Sequence, residues 1–296
     1  MHEQTDRTKS AIVTIIGRPS VGKSTLINHI CGHKISIVTP TPQTTRNRVR
    51  GIITKAHGQL VFVDTPGYHN SDKKFNLAMR ALVTEELEDS DIILAVVDIS
   101  RDGGEEEDNL LDLIAGYREK TIVAMNKSDS PLRSPVDLTA AFAPLVRESI
   151  AVSATTGDGI SALTDALFEA APEGPAMYPE EFYTDQEPSF RIAEIVREHA
   201  MLRTKQELPH ALYVDVSDIA ADPSGRSLDA HATIYVERES QKGIVVGRGA
   251  QMIKEIRIAS EKDLSDIFER RVKLDVRVKV HPKWRQRDRT IGKLIR

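Results

Sequence analysis

The sequence predicts a doubly wound α/β domain followed by a smaller α+β domain. Three observations lead to this fold class. A short apolar run ends in a glycine-rich loop that opens a helix, and later apolar runs also end in short polar motifs. After an acidic, proline-rich stretch, the pattern changes to a helix, two strands, two helices and a last strand. Ligands of open α/β sheets bind outside the carboxyl ends of the strands, so the polar motifs mark the expected site.

The first element is a buried strand, Ala11–Ile16, which leads into a phosphate-binding loop. This loop, Gly17–Ser24, fits the pattern G-x-x-x-x-G-K-S/T, and a helix is predicted over Thr25–Ile30. Glycines let successive N–H groups turn toward a phosphate, and the helix N-terminus adds its unpaired donors. Lys23 should then lie against the β- and γ-phosphates, with the Ser24 hydroxyl on Mg²⁺. The nucleotide contacts expected here are Gly17, Arg18, Pro19, Ser20, Val21, Gly22, Lys23, Ser24 and Thr25.

Three later strand ends carry the other expected contacts. The predicted strands are Leu60–Asp64, Thr121–Met125 and Ser149–Val152. Asp64 can hold Mg²⁺ through water, and the Gly67 N–H can reach the γ-phosphate. Each motif is weak alone, but four in this order, separated by helix-length segments, indicate one nucleotide site. The residues expected to contact the nucleotide are Asp64, Thr65, Pro66, Gly67, Asn126, Lys127, Asp129, Ser153 and Ala154.

The Asn126–Asp129 motif predicts the base. An ionised carboxylate only accepts hydrogen bonds, so Asp129 can take two hydrogens from the N1–H and amino edge of guanine. Adenine presents an acceptor at N1 and would leave that carboxylate unpaired. Lys127 would lie along the base plane, while Asn126 would connect this loop to the phosphate-binding loop. The alternative is a solvated Asp in a helix-capping turn. The motif favours GTP over ATP.

These motifs, with Pro42-Gln-Thr-Thr-Arg46 as a first switch segment, resemble the Era family of bacterial ribosome-assembly GTPases. The resemblance implies a P-loop GTPase fold, hydrolysis of GTP to GDP and phosphate, and Mg²⁺ as cofactor. Lys23, Thr45 and Gly67 are the catalytic candidates, and Ser24, Thr45 and Asp64 are the metal candidates, with Thr44 in reserve for Thr45. Relatives carry Asn at the position of Ser20, where it helps to hold a monovalent cation. The resemblance therefore implies K⁺ only if Ser20 can replace that Asn.

The residue after Gly67 bears on the rate of hydrolysis. Many small GTPases place a water-orienting Gln there, whereas this chain has Tyr68. A phenol that points away cannot align an attacking water. We therefore expect slow intrinsic turnover that depends on phosphate binding and Mg²⁺.

Charge and proline divide the chain into two domains and a linker. Helical spacing ends at Pro172, and residues 173–187 include five acidic and no basic residues. Residues 188–296 carry 22 Lys/Arg against 16 Asp/Glu, a net charge of +6 on a chain whose total is −4. We predict a GTPase domain over 1–172, a flexible linker over 173–187 and a polyanion-binding domain over 188–296. The acidic stretch Glu85–Asp112 is interpreted as a solvated face.

The elements after Phe190 resemble a type II KH domain. Strands over Ala211–Val216, Ala230–Val236 and Val272–Val280 complete the order α-β-β-α-α-β, with a glycine turn between the last two helices. KH loops of the form G-x-x-G clamp the backbone of four nucleotides. Here the loop reads Gly247-Arg-Gly-Ala250, so Ala replaces the second fixed glycine, and we expect it to begin the next helix. Alone, this motif would be a plain interhelical turn, but the element order and basic charge favour RNA binding.

The candidate RNA contacts combine this loop, its flanking helices and the basic tail. They are Lys242, Gly247, Arg248, Gly249, Ala250, Lys254, Trp284 and Arg285. Two interpretations of Trp284 stay open, because it could stack on a base or pack in the domain core.

The resemblance implies GTP and GDP as ligands and the 3′ region of 16S rRNA on the small (30S) ribosomal subunit as partner. The expected role is small-subunit assembly and 16S rRNA maturation, by a cytoplasmic monomer. A single cysteine, Cys31, suits a reducing compartment. The rival interpretation is a peripheral membrane GTPase of growth or cell-cycle control, with the basic tail on anionic lipid at the inner face of the cell membrane. Without an amphipathic helix or lipidation signal, we expect at most weak membrane contact.

Overall fold

The computed structural model describes residues 8–67, 74–131, 138–222 and 224–294, which divide into two compact units. Within these ranges, residues 8–36 and 42–185 belong to the first unit, and residues 37–41 and 186–293 belong to the second.

The first unit is a six-stranded sheet flanked by helices. Its strands are β1 (Lys9–Ile16), β2 (Val49–Lys55), β3 (Gly58–Asp64), β4 (Ile92–Asp98), β5 (Thr121–Asn126) and β6 (Glu148–Ala151). Its helices are α1 (Lys23–Cys31), α2 (Lys74–Asp89), α3 (Glu105–Ile114), α4 (Leu138–Phe142) and α5 (Ile160–Ala170), with 3₁₀ turns at Ala115–Lys120 and Ala143–Leu145. The strand order is β2-β3-β1-β4-β5-β6, and every neighbouring pair is parallel except β2 with β3.

The sheet confirms the predicted doubly wound fold. Strands β3, β4 and β5 are buried over their whole lengths, as expected for parallel strands covered on both faces. Parallel pairing brings the carboxyl ends of β1, β3, β4 and β5 to one edge of the sheet. Strands β2 and β4 were not among the predicted elements.

The acidic stretch Glu85–Asp112 is a solvated face only in part, because eight of its twelve acids are exposed and three are buried. Strand β4 runs through its middle, and Glu86, Asp98 and Glu107 are buried. Each of the three has a basic partner: Glu86 pairs with Arg48 at 2.6 Å, Glu107 pairs with Arg18, and Asp98 pairs with Lys127. The interpretation missed these three acids because a carboxylate in or beside a buried strand can point inward when it is paired with a cation.

Most of the predicted linker packs on the first unit. The buried Gln59 side chain accepts hydrogen bonds from the backbone N–H groups of Met177 and Tyr178 at 2.8 and 2.9 Å. Ile52 in edge strand β2 donates to the carbonyl of Tyr183 at 2.9 Å. Residues 173–185 therefore cover the β2 edge of the sheet instead of forming a free linker.

The second unit has the element order predicted for a KH domain. Its helices are α6 (Pro188–Arg203), α7 (Leu208–Ala211), α8 (Glu239–Val246), α9 (Gln251–Phe268) and α10 (Asp288–Leu294), with 3₁₀ turns at Arg248–Ala250 and Trp284–Gln286. Its strands are β7 (Tyr213–Ala221), β8 (Ser227–Val236) and β9 (Arg271–Val280). Strand β8 is central, antiparallel to β7 and parallel to β9.

One face of this sheet packs on the helices. Buried residues alternate along β8, including Ala230, Ala232 and Ile234, and they join Ile195 of α6 and Leu264 of α9 in one core. This period of two is the pattern of a half-buried strand. Helices α8 and α9 are thereby held with the Gly247–Ala250 turn between them.

Candidate functional site

The phosphate-binding loop is shaped by two glycines whose conformation and surroundings exclude a side chain. Gly17 and Gly22 have φ values of 149° and 102°, which L-residues rarely adopt. A side chain on Gly22 would collide with the amide of Asn126, and one on Gly17 with the carbonyl of Val96. The loop therefore approaches β4 and β5 closely, as a backbone phosphate cradle requires.

Three oxygen-bearing side chains converge beside this loop. The Ser24 hydroxyl donates to Asp64 Oδ2 at 2.8 Å and lies 2.9 Å from the Thr45 hydroxyl, which is 3.3 Å from the same carboxylate oxygen. Asp64 ends β3, Ser24 lies in the first turn of α1, and Thr45 is buried in the segment before β2. Two hydroxyls and a carboxylate form the hard oxygen donor set that Mg²⁺ prefers. Thr45, rather than Thr44, makes these contacts.

Lys23 lies at the centre of the loop with its charge poorly solvated. Its ammonium donates to the carbonyls of Gly17 and Arg18 at 2.8 and 3.0 Å. Burial lowers the pKa of Lys23 to about 8, although nearby Asp64 opposes the shift. Burial likewise raises the pKa of Asp64, which Lys23 opposes. A phosphate beside Lys23 would favour its charged form, so the arrangement is suited to a polyanion with a divalent cation.

Gly67 lies against the phosphate-binding loop. A Cβ on Gly67 would stand 2.9 Å from Pro19, so the two backbones are in close approach. The Thr65 hydroxyl donates to the carbonyl of Ile15 at 2.6 Å, which fixes this turn to β1. Tyr68 lies outside the described residues.

Asn126 connects three loops at the edge of the sheet. Its Nδ2 donates to the Val21 carbonyl at 2.7 Å, and its Oδ1 accepts the Ala154 N–H at 2.9 Å. The structure thus shows the connection to the phosphate-binding loop that the sequence predicts. Asp129 is exposed beside this junction, and Ser153 is fully buried and caps the turn through the N–H of Thr156 at 3.0 Å.

Asp98 is a residue of this site that sequence reasoning missed. It ends β4 directly beside Asn126 in the register of the sheet, and it is 1% exposed. Its Oδ2 accepts a hydrogen bond from Lys127 Nζ at 2.6 Å. The available signal was the strand exit itself, because the apolar run Ile92–Val97 ends in an acid, as the run Leu60–Val63 also does.

The predicted RNA-binding loop is exposed and held by its backbone. Gly247, Gly249 and Ala250 have φ values of 74°, 58° and 60°, and Gly249 and Ala250 are exposed. Ala250 precedes α9 in a left-handed conformation and is not the helical starter that the sequence predicts. The first N–H groups of the 18-residue α9 face this turn, where an anion would be favoured. Lys254 is exposed one turn further along the same helix.

Of the candidate RNA contacts, the structure shows one to be buried and two to lie beside acidic side chains. Trp284 is fully buried, donates from its indole to the Ala211 carbonyl at 2.8 Å and packs edge-on against Tyr213, so it cannot stack on a base in this conformation. Arg285 pairs with Glu237 at 2.7 Å. Lys242 lies 3.8 Å from Glu239.

Glu198, His199 and Asp263 also form a group that resembles a metal centre. Their ligand atoms lie within 4.8 Å of one another. The Arg203 guanidinium, which can only donate, lies 3.1 Å from His199 Nδ1, so the ring proton is on Nε2 and faces Asp263 at 3.1 Å. A cation at Nε2 would have to displace that proton. Arg203, His199 and Asp263 therefore form a hydrogen-bonded chain, and this group is not proposed as a metal centre.

Comparisons with known proteins agree with both units. The family described as "50S ribosome-binding GTPase" matches residues 12–127, and the KH domain family matches residues 207–285. GTPase Era of Treponema denticola is 46% identical over 292 residues, covering 96% of this chain and 99% of that protein. GTPase Era of Borreliella burgdorferi is 43% identical over 290 residues, covering 97% and 99%.

Two solved structures match nearly the whole chain. The crystal structure of a single-residue variant of Aquifex aeolicus Era bound to GDP·AlF4⁻ has a TM-score of 0.90 at 31% identity, covering 97% of this chain and 99% of that one. Era in complex with MgGDPNP and nucleotides 1506–1542 of 16S ribosomal RNA has a TM-score of 0.88 at 31% identity, covering 97% and 98%.

Fold, site and comparisons define a GTP-hydrolysing P-loop protein with a carboxyl-terminal KH domain. The chain belongs to the Era family of GTPases. Among the described residues, no helix is both long and apolar enough to cross a membrane.

Proposed function

We propose that this GTPase binds the 3′ region of 16S rRNA and acts in small-subunit assembly and 16S rRNA maturation, as a cytoplasmic monomer. The observation that carries the proposal is the convergence of Ser24, Thr45 and Asp64 beside the buried Lys23 in a chain that ends in a KH domain. The related Era complex with MgGDPNP and 16S rRNA nucleotides supports the ligands and the RNA partner.

The geometry supports the following roles. Ser24 and Thr45 would hold Mg²⁺ directly and Asp64 would hold it through water, and the ion would supply positive charge to the β- and γ-phosphates. Lys23 stabilises the charge that develops on the transferred phosphoryl group, and the Gly67 N–H contacts the γ-phosphate. Whether K⁺ also binds depends on Ser20, which is exposed in a left-handed conformation (φ 65°).

Base recognition is tested by exchanging the acceptor of Asp129. The Asp129→Asn variant should lose affinity for GTP and gain affinity for the xanthine nucleotide, whose C2 carbonyl accepts the Asn amide. Binding of both nucleotides to the full chain is measured by fluorescence competition. Retained tight GTP binding without a gain for the xanthine nucleotide would contradict the assignment.

RNA binding is tested by charge reversal in the KH loop. Arg248→Glu should weaken single-stranded RNA binding by the full chain about tenfold at low salt, because KH loops clamp the backbone of unpaired nucleotides. The log affinity of the unmodified chain should fall linearly with log salt. Lys273→Glu, on β9, is the matched control and should weaken binding less. GTP affinity should be the same in all three proteins.

The outcomes of this assay separate the alternatives. Equal losses in Arg248→Glu and Lys273→Glu would indicate general attraction without a loop contact. Undiminished binding by Arg248→Glu would place the contact in the basic tail after Val280. Flotation with anionic liposomes, run beside the RNA assay, would favour a membrane role if the chain bound vesicles more tightly than RNA.

A further inference from the structure

The Asp98 carboxylate lies between the Asn126–Asp129 loop and the phosphate-binding loop, because its Oδ2 accepts a hydrogen bond from Lys127 and lies 3.9 Å from the Arg18 guanidinium. Strand β4 ends at Asp98, and the next residue, Ile99, donates its N–H to the carbonyl of Asn126 at 3.1 Å. The carboxylate is therefore placed by the sheet itself, one strand away from the Asn126–Asp129 motif.

Lys127 is held at both ends. Its backbone has a φ of 66°, an uncommon conformation for a residue with a long side chain. Its ammonium donates to Asp98 Oδ2 at 2.6 Å and to the carbonyl of Ser20 in the phosphate-binding loop at 3.2 Å. A free lysine side chain loses rotamer entropy when it is fixed, so holding it before a ligand arrives reduces the entropy lost on binding.

The orientation of the Asp98 carboxylate is fixed as well. Its other oxygen, Oδ1, accepts the N–H and the hydroxyl of Ser100 at 3.0 and 2.6 Å, and Arg101 lies 3.4 Å from Oδ2. Burial would raise the pKa of Asp98, but the hydrogen bonds from Lys127 and Ser100 outweigh it and hold this pKa below its usual range. The group is thus an ionised acceptor aimed at Lys127.

We propose that Asp98 is a positioning residue for guanine recognition, which holds the aliphatic stem of Lys127 along the plane of the base. This inference rests on the proposed assignment of the Asn126–Asp129 motif to guanine. The geometry also connects base and phosphate recognition, because the same ammonium contacts the loop that holds the phosphates.

The test is a double-mutant cycle on the full chain. GDP release is measured by stopped-flow fluorescence for the unmodified protein, Asp98→Ala, Lys127→Ala and the double variant. Asp98→Ala should release GDP about tenfold faster than the unmodified protein. The double variant should release GDP less than twofold faster than Lys127→Ala alone. The affinity for inorganic tripolyphosphate, which lacks a base, should change less than twofold, because Arg18 of the phosphate-binding loop keeps its ion pair with Glu107. Additive effects, or equal weakening of tripolyphosphate binding, would overturn the proposal.

Two controls keep the result interpretable. Asp91→Ala removes an acid at the opposite end of β4, where it accepts the N–H of Ile12 at 2.8 Å, and it should leave GDP release unchanged. If Asp98→Ala fails to fold, Asp98→Asn carries the test. The new amide side chain would keep an acceptor for Lys127 but lose the negative charge, so Asp98→Asn should release GDP about threefold faster than the unmodified protein. In the Lys127→Ala background, Asp98→Asn should have no further effect.

Failure of the guanine assignment would give a different result. In that case Asp129→Asn would not change base preference, whatever the cycle shows. If Asp129→Asn does switch to xanthine and the cycle is additive, the guanine assignment stands and the role of Asp98 is wrong.

Discussion

The nucleotide site and the KH loop reach their geometry by opposite means. In the nucleotide site, side chains such as Lys23, Asp64 and Asn126 are buried and bonded to one another or to nearby backbone. In the KH loop, Gly249 and Ala250 are exposed, and consecutive left-handed residues set its shape. The first site depends on side-chain chemistry and the second on backbone conformation. Substitutions should therefore act by different mechanisms in the two regions.

The largest effect expected is on hydrolysis when Lys23 is lost. Lys23→Ala removes the buried cation at the centre of the phosphate-binding loop. The single-turnover rate of GTP hydrolysis should therefore fall by about 10³-fold or more. The measurement is phosphate release from GTP with the protein in excess and at a concentration that binds all of the nucleotide. Lys55→Ala, an exposed lysine on β2, is the control and should hydrolyse GTP at the normal rate. Near-normal hydrolysis by Lys23→Ala would show that another group stabilises the transferred phosphoryl.

The second effect distinguishes two adjacent hydroxyls. The Thr45 hydroxyl lies 2.9 Å from that of Ser24 and 3.3 Å from Asp64 Oδ2, which makes it the metal candidate of the pair Thr44 and Thr45. Thr45→Ala should raise the Mg²⁺ concentration needed for half-maximal hydrolysis by about 10- to 100-fold, because one metal ligand is lost. Thr44→Ala is the matched control, with a smaller change. The reverse order would make Thr44 the ligand.

The difference between the two regions also explains what could be predicted from sequence. Apolar runs that end in polar motifs placed Lys23, Asp64, Asn126 and Ser153 at one sheet edge, because parallel strands align their carboxyl ends. Asp98 was missed because acids on both sides of its strand concealed a buried run. Partners from distant segments, such as its cation Lys127, decide that burial, and local pattern does not contain them.

The KH region shows the same limit. Alternation predicted its strands, and the element order predicted its loop. Neither predicts that Trp284 is buried in the core with its indole N–H bonded to the Ala211 carbonyl, since that contact joins residues 73 positions apart in the sequence. Nor does helix propensity predict the left-handed Ala250, because the turn geometry overrides the preference of a single residue.

A third, smaller effect follows from the charge of Lys23. Because burial lowers its pKa to about 8, the ligand-free protein should lose this proton as the pH rises through 8, while bound phosphate keeps it. GDP binding should therefore take up a proton above pH 8, and log affinity should fall by at most about one unit per pH unit. Titration calorimetry at about pH 9 in two buffers of different ionisation enthalpy measures the uptake. Identical heats in both buffers would contradict it, and neutral pH serves as the control.

The lowered pKa of Lys23 also makes the free energy of unfolding depend on pH. An unfolded Lys keeps its proton up to about 10.4, so the unfolded state binds more protons than the folded one between pH 8 and that value. The Lys23 contribution to the free energy of unfolding should therefore rise with pH in this window. Lys23→Met, which cannot titrate, should show a smaller rise than the unmodified chain.

The smallest effect concerns the backbone of the KH loop. For a residue with a side chain, the left-handed conformation costs about 1–2 kcal/mol, and the added freedom of unfolded glycine cancels about 0.4–1 kcal/mol of that. Ala250→Gly should thus stabilise the chain by about 0.8 kcal/mol and leave RNA binding equal or tighter. Gly249→Ala, with a φ of 58° and open space at its Cβ position, should destabilise it by a similar amount. Urea unfolding measures both changes.

Gly247→Ala sharpens this comparison, because there the added methyl would also stand 2.9 Å from the backbone nitrogen of Met252. Its cost should exceed that of Gly249→Ala, since steric overlap adds to the backbone term. If backbone conformation governs this loop, Ala250→Gly should have the highest free energy of unfolding and the unmodified chain the next highest. Gly249→Ala should follow, and Gly247→Ala should have the lowest. A destabilised Ala250→Gly would mean that the alanine methyl makes a favourable contact, and the KH loop would then depend on side chains as the nucleotide site does.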